Sequence, residues 1–226
     1  MEYIRRSDER GAENIGWLDS KHSFSFGHYH DPSHMGISAL RVINDDTVAA
    51  GGGFDTHGHQ DMEIITYVTE GALEHKDTLG NEFVVEAGEV QRMTAGTGIM
   101  HSEYNHSNQV PVKFFQIWIQ PNELGLTPSY QQVRIEQTGS LTPLVTPTGE
   151  AGSLNVHQAV SLSRLKLPAE GRQELETHRT GYLHIVSGKA EINGKSFSAG
   201  DAIGSNNTAL KIVATEALEA LWFDLP

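Results

Sequence analysis

Cysteine is absent from the 226 residues. Disulfides, a thiolate nucleophile, and zinc or iron–sulfur sites of the thiolate kind are therefore excluded. Any metal must sit on nitrogen and oxygen ligands. Positive charge is also scarce: 16 Lys and Arg stand against 29 Asp and Glu, a formal net charge of −13. That balance opposes the counterion release that drives nucleic-acid binding and disfavours anionic membrane surfaces. Direct nucleic-acid binding is not expected. No apolar run approaches the ~18 residues of a spanning helix. The opening MEYIRRSDERGAEN is charged and lacks the apolar stretch of a signal peptide. The chain reads as cytoplasmic, with no membrane partner.

Helix-length amphipathic patterns are few. Short stretches rich in Val, Ile, Phe and Tyr recur instead: Ser38–Ile43, Glu63–Val68, Glu82–Val85, Val112–Ile119, Tyr182–Val186 and Leu221–Phe223. Separated by Gly, Asn and Asp, they predict an all-β sandwich or barrel. A helical turn is expected only near Asn122–Gly125. Asn193-Gly194 has the chemistry of a type I′ hairpin turn, in which both central residues need positive φ.

The Thr-, Gly- and Pro-rich stretch Gln137–Gly152 reads as an interdomain connection. It divides the chain into domains 1–136 and 137–226. Glu70-Gly71, a hairpin and Ala87-Gly88-Glu89 in the first half echo Ser187-Gly188, a shorter hairpin and Ala199-Gly200-Asp201 in the second. A duplicated β-barrel is the economical account.

Histidine is abundant, with 12 copies. Residues i and i+2 of a strand share a face. His57 and His59 can thus present two imidazoles to one point, and His101 and Glu103 an imidazole and a carboxylate. Neighbouring strands carrying these pairs would form a three-His, one-Glu site. Such donors suit Fe, Mn, Co, Ni, Cu or Zn. His-x-His alone carries little weight, since His28-Tyr29-His30 repeats it.

The flanks discriminate. Gly51 lies six residues before His57, Glu63 four after His59, and Gly71 closes the strand pair; Gly96-Thr97-Gly98 precedes His101, and Asn105 follows it. These spacings resemble the two cupin motifs, with Gly96 in place of the usual proline and Gly71 one residue late. Trp17-Leu18-Asp19-Ser20, His22-Ser23-Phe24-Ser25-Phe26, Asp31-Pro32, Met35-Gly36 and Leu40-Arg41-Val42-Ile43-Asn44 further resemble the N-terminal signature of the pirin family. Thr94 through Ile99 and His101-Ser102-Glu103 continue it, and Leu221–Leu225 resembles a family ending.

The resemblance implies a bicupin in which only the N-terminal cupin holds one divalent metal, usually Fe(II). His57, His59, His101 and Glu103 would be its ligands, and the C-terminal cupin would be degenerate and metal-free. It also implies a quercetin 2,3-dioxygenase, an oxidoreductase that opens the central ring of a flavonol with O₂ and releases carbon monoxide. Glu103 is then the base that takes the substrate proton, and the partners are a small phenolic substrate and O₂. Glu63 reads as an acid supporting a metal-bound histidine or the fold. His75, His106 and His157 show no spacing that separates them from surface residues, and Phe54, Phe115 and Trp118, in strand-like contexts more often core than substrate cradle, are not assigned to either. Two barrels within one chain point to a monomer. Animal members of the family act as regulators that bind transcription proteins, so a metal-responsive binding protein without turnover is the alternative. A zinc-dependent isomerase or hydrolase, needing no O₂, is a third possibility.

Overall fold

The computed structural model describes residues 3–226. Strands account for nearly all regular structure: β1 (Tyr3–Arg5), β2 (Gly11–Asn14), β3 (Leu18–His22), β4 (Leu40–Val48), β5 (Gly53–His59) and β6 (Glu63–Glu70). They continue with β7 (Ala72–Asp77), β8 (Glu82–Glu86), β9 (Glu89–Thr94), β10 (Ile99–Asn105), β11 (Val112–Ile119) and β12 (Ser129–Arg134). The later part of the chain supplies β13 (Leu141–Thr146), β14 (Leu154–Asn155), β15 (Ser161–Leu167), β16 (Arg172–Leu175) and β17 (Thr180–Ser187). It ends with β18 (Lys189–Ile192), β19 (Lys195–Ser198), β20 (Ala202–Asn206), β21 (Leu210–Ala214) and β22 (Leu218–Leu225).

Among the described residues the helical content is two 3₁₀ turns, Ser7–Glu9 and Glu150–Gly152. The expected turn at Asn122–Gly125 is a bend without helical hydrogen bonding. No described helix is long and apolar enough to cross a membrane.

The chain forms two compact units. The first comprises Gly11–Ile135 with Leu154–Gln158; the second comprises the chain up to Arg10, Glu136–Ser153 and Ala159–Pro226. In the first unit a seven-stranded sheet runs β12-β9-β6-β11-β4-β3-β2, beside a four-stranded sheet β5-β10-β7-β8. In the second, one sheet runs β1-β20-β17-β22-β15-β13 and the other β16-β21-β18-β19. The orders superimpose strand for strand, with β9, β6, β11 and β4 matched by β20, β17, β22 and β15. This is the duplication that the two Gly-punctuated hairpins predict. Asn193 (φ 49°) and Gly194 (φ 77°) both adopt positive φ in the tight turn between β18 and β19.

Two segments cross the line that composition suggests, the chain up to Arg10 joining the second unit and Leu154–Gln158 the first. β1 pairs with β20, filling in the second unit the edge that β12 occupies in the first. Within Gln137–Gly152, β13 pairs with β15, its register shifting at Pro143. Proline breaks a ladder and is tolerated at such irregularities, so a Pro-rich stretch is here partly a strand.

The first barrel is layered. On one face of β6 lie Ile64, Thr66 and Val68, and on one face of β11 lie Phe114, Gln116 and Trp118. Val68 and Phe114 join Leu18, Val48, Leu73, Val85 and Val112 in one apolar cluster. Ile64 joins Met93, Ala95 and Ile99 in another, against which Trp118 packs. Between them Thr66 Oγ1 donates to Gln116 Oε1 at 3.0 Å. An apolar barrel with a polar middle layer is a frame for a buried polar site.

Candidate metal centre

β10 alternates cleanly: Ile99, His101, Glu103 and Asn105 are buried, and the residues between them are more exposed. His101 pairs with His57 across β5, and Ile99 with His59. The register then slips by one residue, so that Glu103 faces Phe54. This bulge on β5 turns the Asp55 carbonyl towards His57, whose Nδ1 donates to it at 2.8 Å. That bond fixes the hydrogen on Nδ1 and leaves Nε2 as the free electron pair.

The three rings meet. Centroids of His57 and His59 are 4.8 Å apart, those of His57 and His101 4.5 Å, and those of His59 and His101 4.8 Å. One donor atom from each of these histidines lies within 4.8 Å of the other two, and His75, His101 and Glu103 form a second such group. The sets share His101. Glu103 lines the same cavity as His57 and His59.

Burial sets the electrostatics. It lowers the His101 pKa to about 2, helped by the neighbouring imidazoles of His57, His59 and His75. His59 falls to about 4 for the same reasons, burial first and then His57. Neutral imidazole is the ligating form. Burial raises the Glu103 carboxyl to about 8, with the Asp46 charge adding and hydrogen bonds from Gln116 and Thr66 opposing. A cation beside Glu103 would reverse that shift.

Two atoms test the fit of a metal. His101 Nε2 and Glu103 Oε1 are buried without a hydrogen-bond partner, although Glu103 Oε2 accepts from Gln116 Nε2 at 2.8 Å. An unsatisfied buried polar atom costs about 1–3 kcal/mol. A nitrogen and an oxygen left free beside two further imidazoles are what a divalent ion with N and O preference accounts for. His57, His59 and His101 thus suit such an ion, and Glu103 lines the same cavity as His57 and His59.

The cavity above these residues has a volume of about 270 Å³. Phe26, Phe54 and Trp118 wall one part, and Ser20, His22, Asn44, Asp46 and Gln116 another. Trp118 stands edge-on to His59 at 5.0 Å and to Phe26 at 5.4 Å. Phe54 and Trp118, which sequence leaves unassigned, therefore face the cavity, whereas Phe115 is buried. The alternation along β11 gives two faces, but only the partner strands show that Gln116 and Trp118 face inwards.

His75 departs from expectation, and Glu63 takes the second of its two expected roles, in the fold. His75, unremarkable in sequence, is fully buried with its ring 5.3 Å from that of His101. Glu63 is fully buried but contacts none of the clustered imidazoles; its Oε1 lies 3.2 Å from Nδ1 of His157, and its charge acts on Arg92.

Residues 4–119 match the family model described as Pirin. Over 229 aligned residues the chain is 47% identical to an Escherichia coli K12 protein named quercetin 2,3-dioxygenase, covering 100% of this chain and 99% of that one. The chain belongs to the pirin family.

The second half of this pirin matches the model described as Quercetinase C-terminal cupin domain, over residues 143–225. A Caulobacter vibrioides pirin-like protein is 39% identical over 96% of both chains. The crystal structure of the E. coli bacterial pirin YhhW in complex with nickel(II) superimposes with a TM-score of 0.96. It is 47% identical and covers 100% of this chain and 99% of that one. The all-β architecture is accordingly a bicupin, and a divalent metal suits its first barrel.

Proposed function

We propose that this pirin is a metal-dependent dioxygenase that cleaves quercetin or a similar flavonol with O₂. One observation carries the reading: Glu103, whose buried Oε1 has no partner, lines with His57 and His59 a cavity with aromatic walls, and His101, whose buried Nε2 has none either, clusters with those two histidines. The relatives named quercetin 2,3-dioxygenase support it. His57, His59, His101 and Glu103 would hold one divalent ion. Fe(II) is the expected metal, with Ni, Mn, Co, Cu or Zn also compatible with N and O donors. When bound, the metal acidifies a coordinated hydroxyl and brings substrate and O₂ together.

The protein's own residues do the rest. Phe26, Phe54 and Trp118 sandwich a flat ring in offset or edge-on contact. The cavity lies near the lower end of the few hundred Å³ usual for small-molecule sites, which limits water beside the reacting ring. Glu103 takes the hydroxyl proton of the phenol on Oε1, the oxygen with no partner in the protein, while Gln116 holds Oε2. A cation beside Glu103 would hold it as the carboxylate, the form that accepts a proton.

In the second barrel Leu175, Leu210, Ile212, Ala190 and Ile192 pack into one apolar core. This favours a metal-free scaffold there. A cytoplasmic, monomeric protein acting on a small phenol, without direct nucleic-acid contact, is the setting that fits.

The test follows quercetin absorbance and dissolved oxygen together, with elemental analysis of the same protein. Quercetin loss should match oxygen uptake, and His101→Ala should lose metal and activity alike. Glu103→Gln should lower turnover at least 100-fold, within the range for a lost acid–base group, while lowering metal content much less. Stoichiometric metal without turnover would sink the dioxygenase and favour a metal-responsive binding protein.

A further inference from the structure

His75 has no place in the ligand set, yet its side chain and that of Asp77 are both fully buried. Its Nε2 lies 2.9 Å from Asp77 Oδ2. On the other side of the ring, its Nδ1 lies 3.5 Å from Nδ1 of His101. Asp77 is itself held firmly. Its Oδ1 accepts from the backbone N–H groups of Leu79 and Asn81 at 2.9 and 3.1 Å. Asn81 Nδ2 donates to Oδ1 at 3.1 Å and to Oδ2 at 2.9 Å.

The hydrogens in this line can be placed by counting. A carboxylate only accepts, so the hydrogen between Asp77 and His75 sits on His75 Nε2. A second proton on His75 would put a cation in a buried cluster of imidazoles, so Nδ1 of His75 carries a lone pair. The hydrogen between the two Nδ1 atoms must then belong to His101. Its Nε2, across the ring from His75, is left as an electron pair, and that is the buried nitrogen without a partner.

We propose that Asp77 and His75 are positioning residues that set the tautomer of His101, directing hydrogens from His101 to His75 to Asp77 and presenting Nε2 to a metal. The inference uses the reading of His101 as a ligand. The tautomer itself is a property of the metal-free protein. Partners of this kind orient ligating histidines and typically contribute 10- to 100-fold in metal affinity.

Asp77→Asn is the informative change, because it should reverse the line. Three donors point at Oδ1 and two at Oδ2, so the amide oxygen stays at Oδ1, Asn81 Nδ2 keeps its bond to that oxygen alone, and the NH₂ group faces His75 Nε2. His75 must then carry its hydrogen on Nδ1 and donate to His101 Nδ1, which moves the His101 hydrogen to Nε2. A hydrogen on that nitrogen blocks ligation.

The experiment measures ¹⁵N chemical shifts of the histidine rings in metal-stripped protein, then nickel(II) affinity by chelator competition. Wild type should show His101 as the Nδ1–H tautomer. Asp77→Asn should convert it to Nε2–H and weaken nickel about 10- to 100-fold. His75→Gln restores an acceptor for His101 and should keep nickel affinity near that of wild type, whereas His75→Leu should lose it. These two variants keep the test open if Asp77→Asn folds poorly. An Nε2–H tautomer in wild type, unchanged tautomer and affinity in Asp77→Asn, or equal loss in both His75 variants would each overturn the proposal. A correct tautomer in a protein that leaves quercetin untouched would sink the dioxygenase and leave this inference standing.

Discussion

Single residues show where this barrel gives up stability. Asp46 on β4 is 4% exposed, lines the cavity, and has one carboxylate oxygen without a partner. Burial raises its pKa from 3.8 to about 7; the Asp45 and Glu13 carboxylates add to the rise and the Ser20 hydrogen bond opposes it. The sign of the effect follows from proton binding. Between pH 4 and 7 the folded protein holds a proton that the unfolded chain has released, so stability from this group falls as pH rises through that window. The loss is complete above pH 7 and amounts to on the order of 4 kcal/mol. Asp46→Asn should therefore stabilise the protein at pH 8 and change little at pH 4, as read by urea unfolding of both proteins at each pH. A difference that does not vary with pH would remove this account. The residue was invisible in sequence because Asn44-Asp45-Asp46 ends the apolar pattern of Leu40–Ile43, although β4 runs on to Val48.

At the scale of elements, local chemistry explains a departure from the cupin pattern. Gly96, between β9 and β10, stands where the second motif usually has proline, and its φ is +48°. Proline is confined to φ near −65°, so it cannot occupy this backbone. A side chain fits no better: a Cβ at Gly96 would overlap the carbonyl oxygen of Leu126, the same oxygen that accepts the Thr97 N–H at 2.8 Å. Gly96→Ala should cost about 2 kcal/mol or more, combining the left-handed conformation with the clash. Because the loop leads into His101 and Glu103, the variant should also retain less metal. Denaturation and elemental analysis of one preparation would check both; an unperturbed variant would mean that the loop gives way easily. Turn and motif chemistry of this kind is legible because it depends on near neighbours in sequence. The same locality made His57 with His59, and His101 with Glu103, readable as pairs with i and i+2 on one face of a strand. Which face of β11 lines the cavity was not readable, nor was the meeting of His75 with His101, because β7 and β10 are brought together only by sheet pairing.

At the scale of the whole chain, two barrels of matching strand order differ in what they bury. The first barrel buries Thr66, Gln116, Glu103 and His101 beside two further clustered imidazoles, while the second packs Leu175, Ile192, Ile212 and their neighbours with Phe197 and Trp222 into one apolar core. The paired Gly turns revealed the repeat, but the exchange of strand β1 left no trace in composition because three residues are too few to carry a pattern. That strand gives the second unit a specific dependence. Tyr3, Ile4 and Arg5 pair with Gly204, Ile203 and Ala202. Asp201 then receives the Ser7 N–H at 2.8 Å and Arg6 Nη1 at 3.1 Å. Starting the chain at Gly11 would open the β20 edge to pairing with other molecules and leave Asp201, 5% exposed, short of two donors. We expect the truncated protein to lose amide hydrogen-exchange protection in β17, β20 and β22 by at least tenfold. Protection in β6 and β11, and nickel binding by the first barrel, should persist, since each unit has its own core and opens locally according to its own contacts. Uniform loss across both units would show instead that the two barrels unfold as one cooperative body.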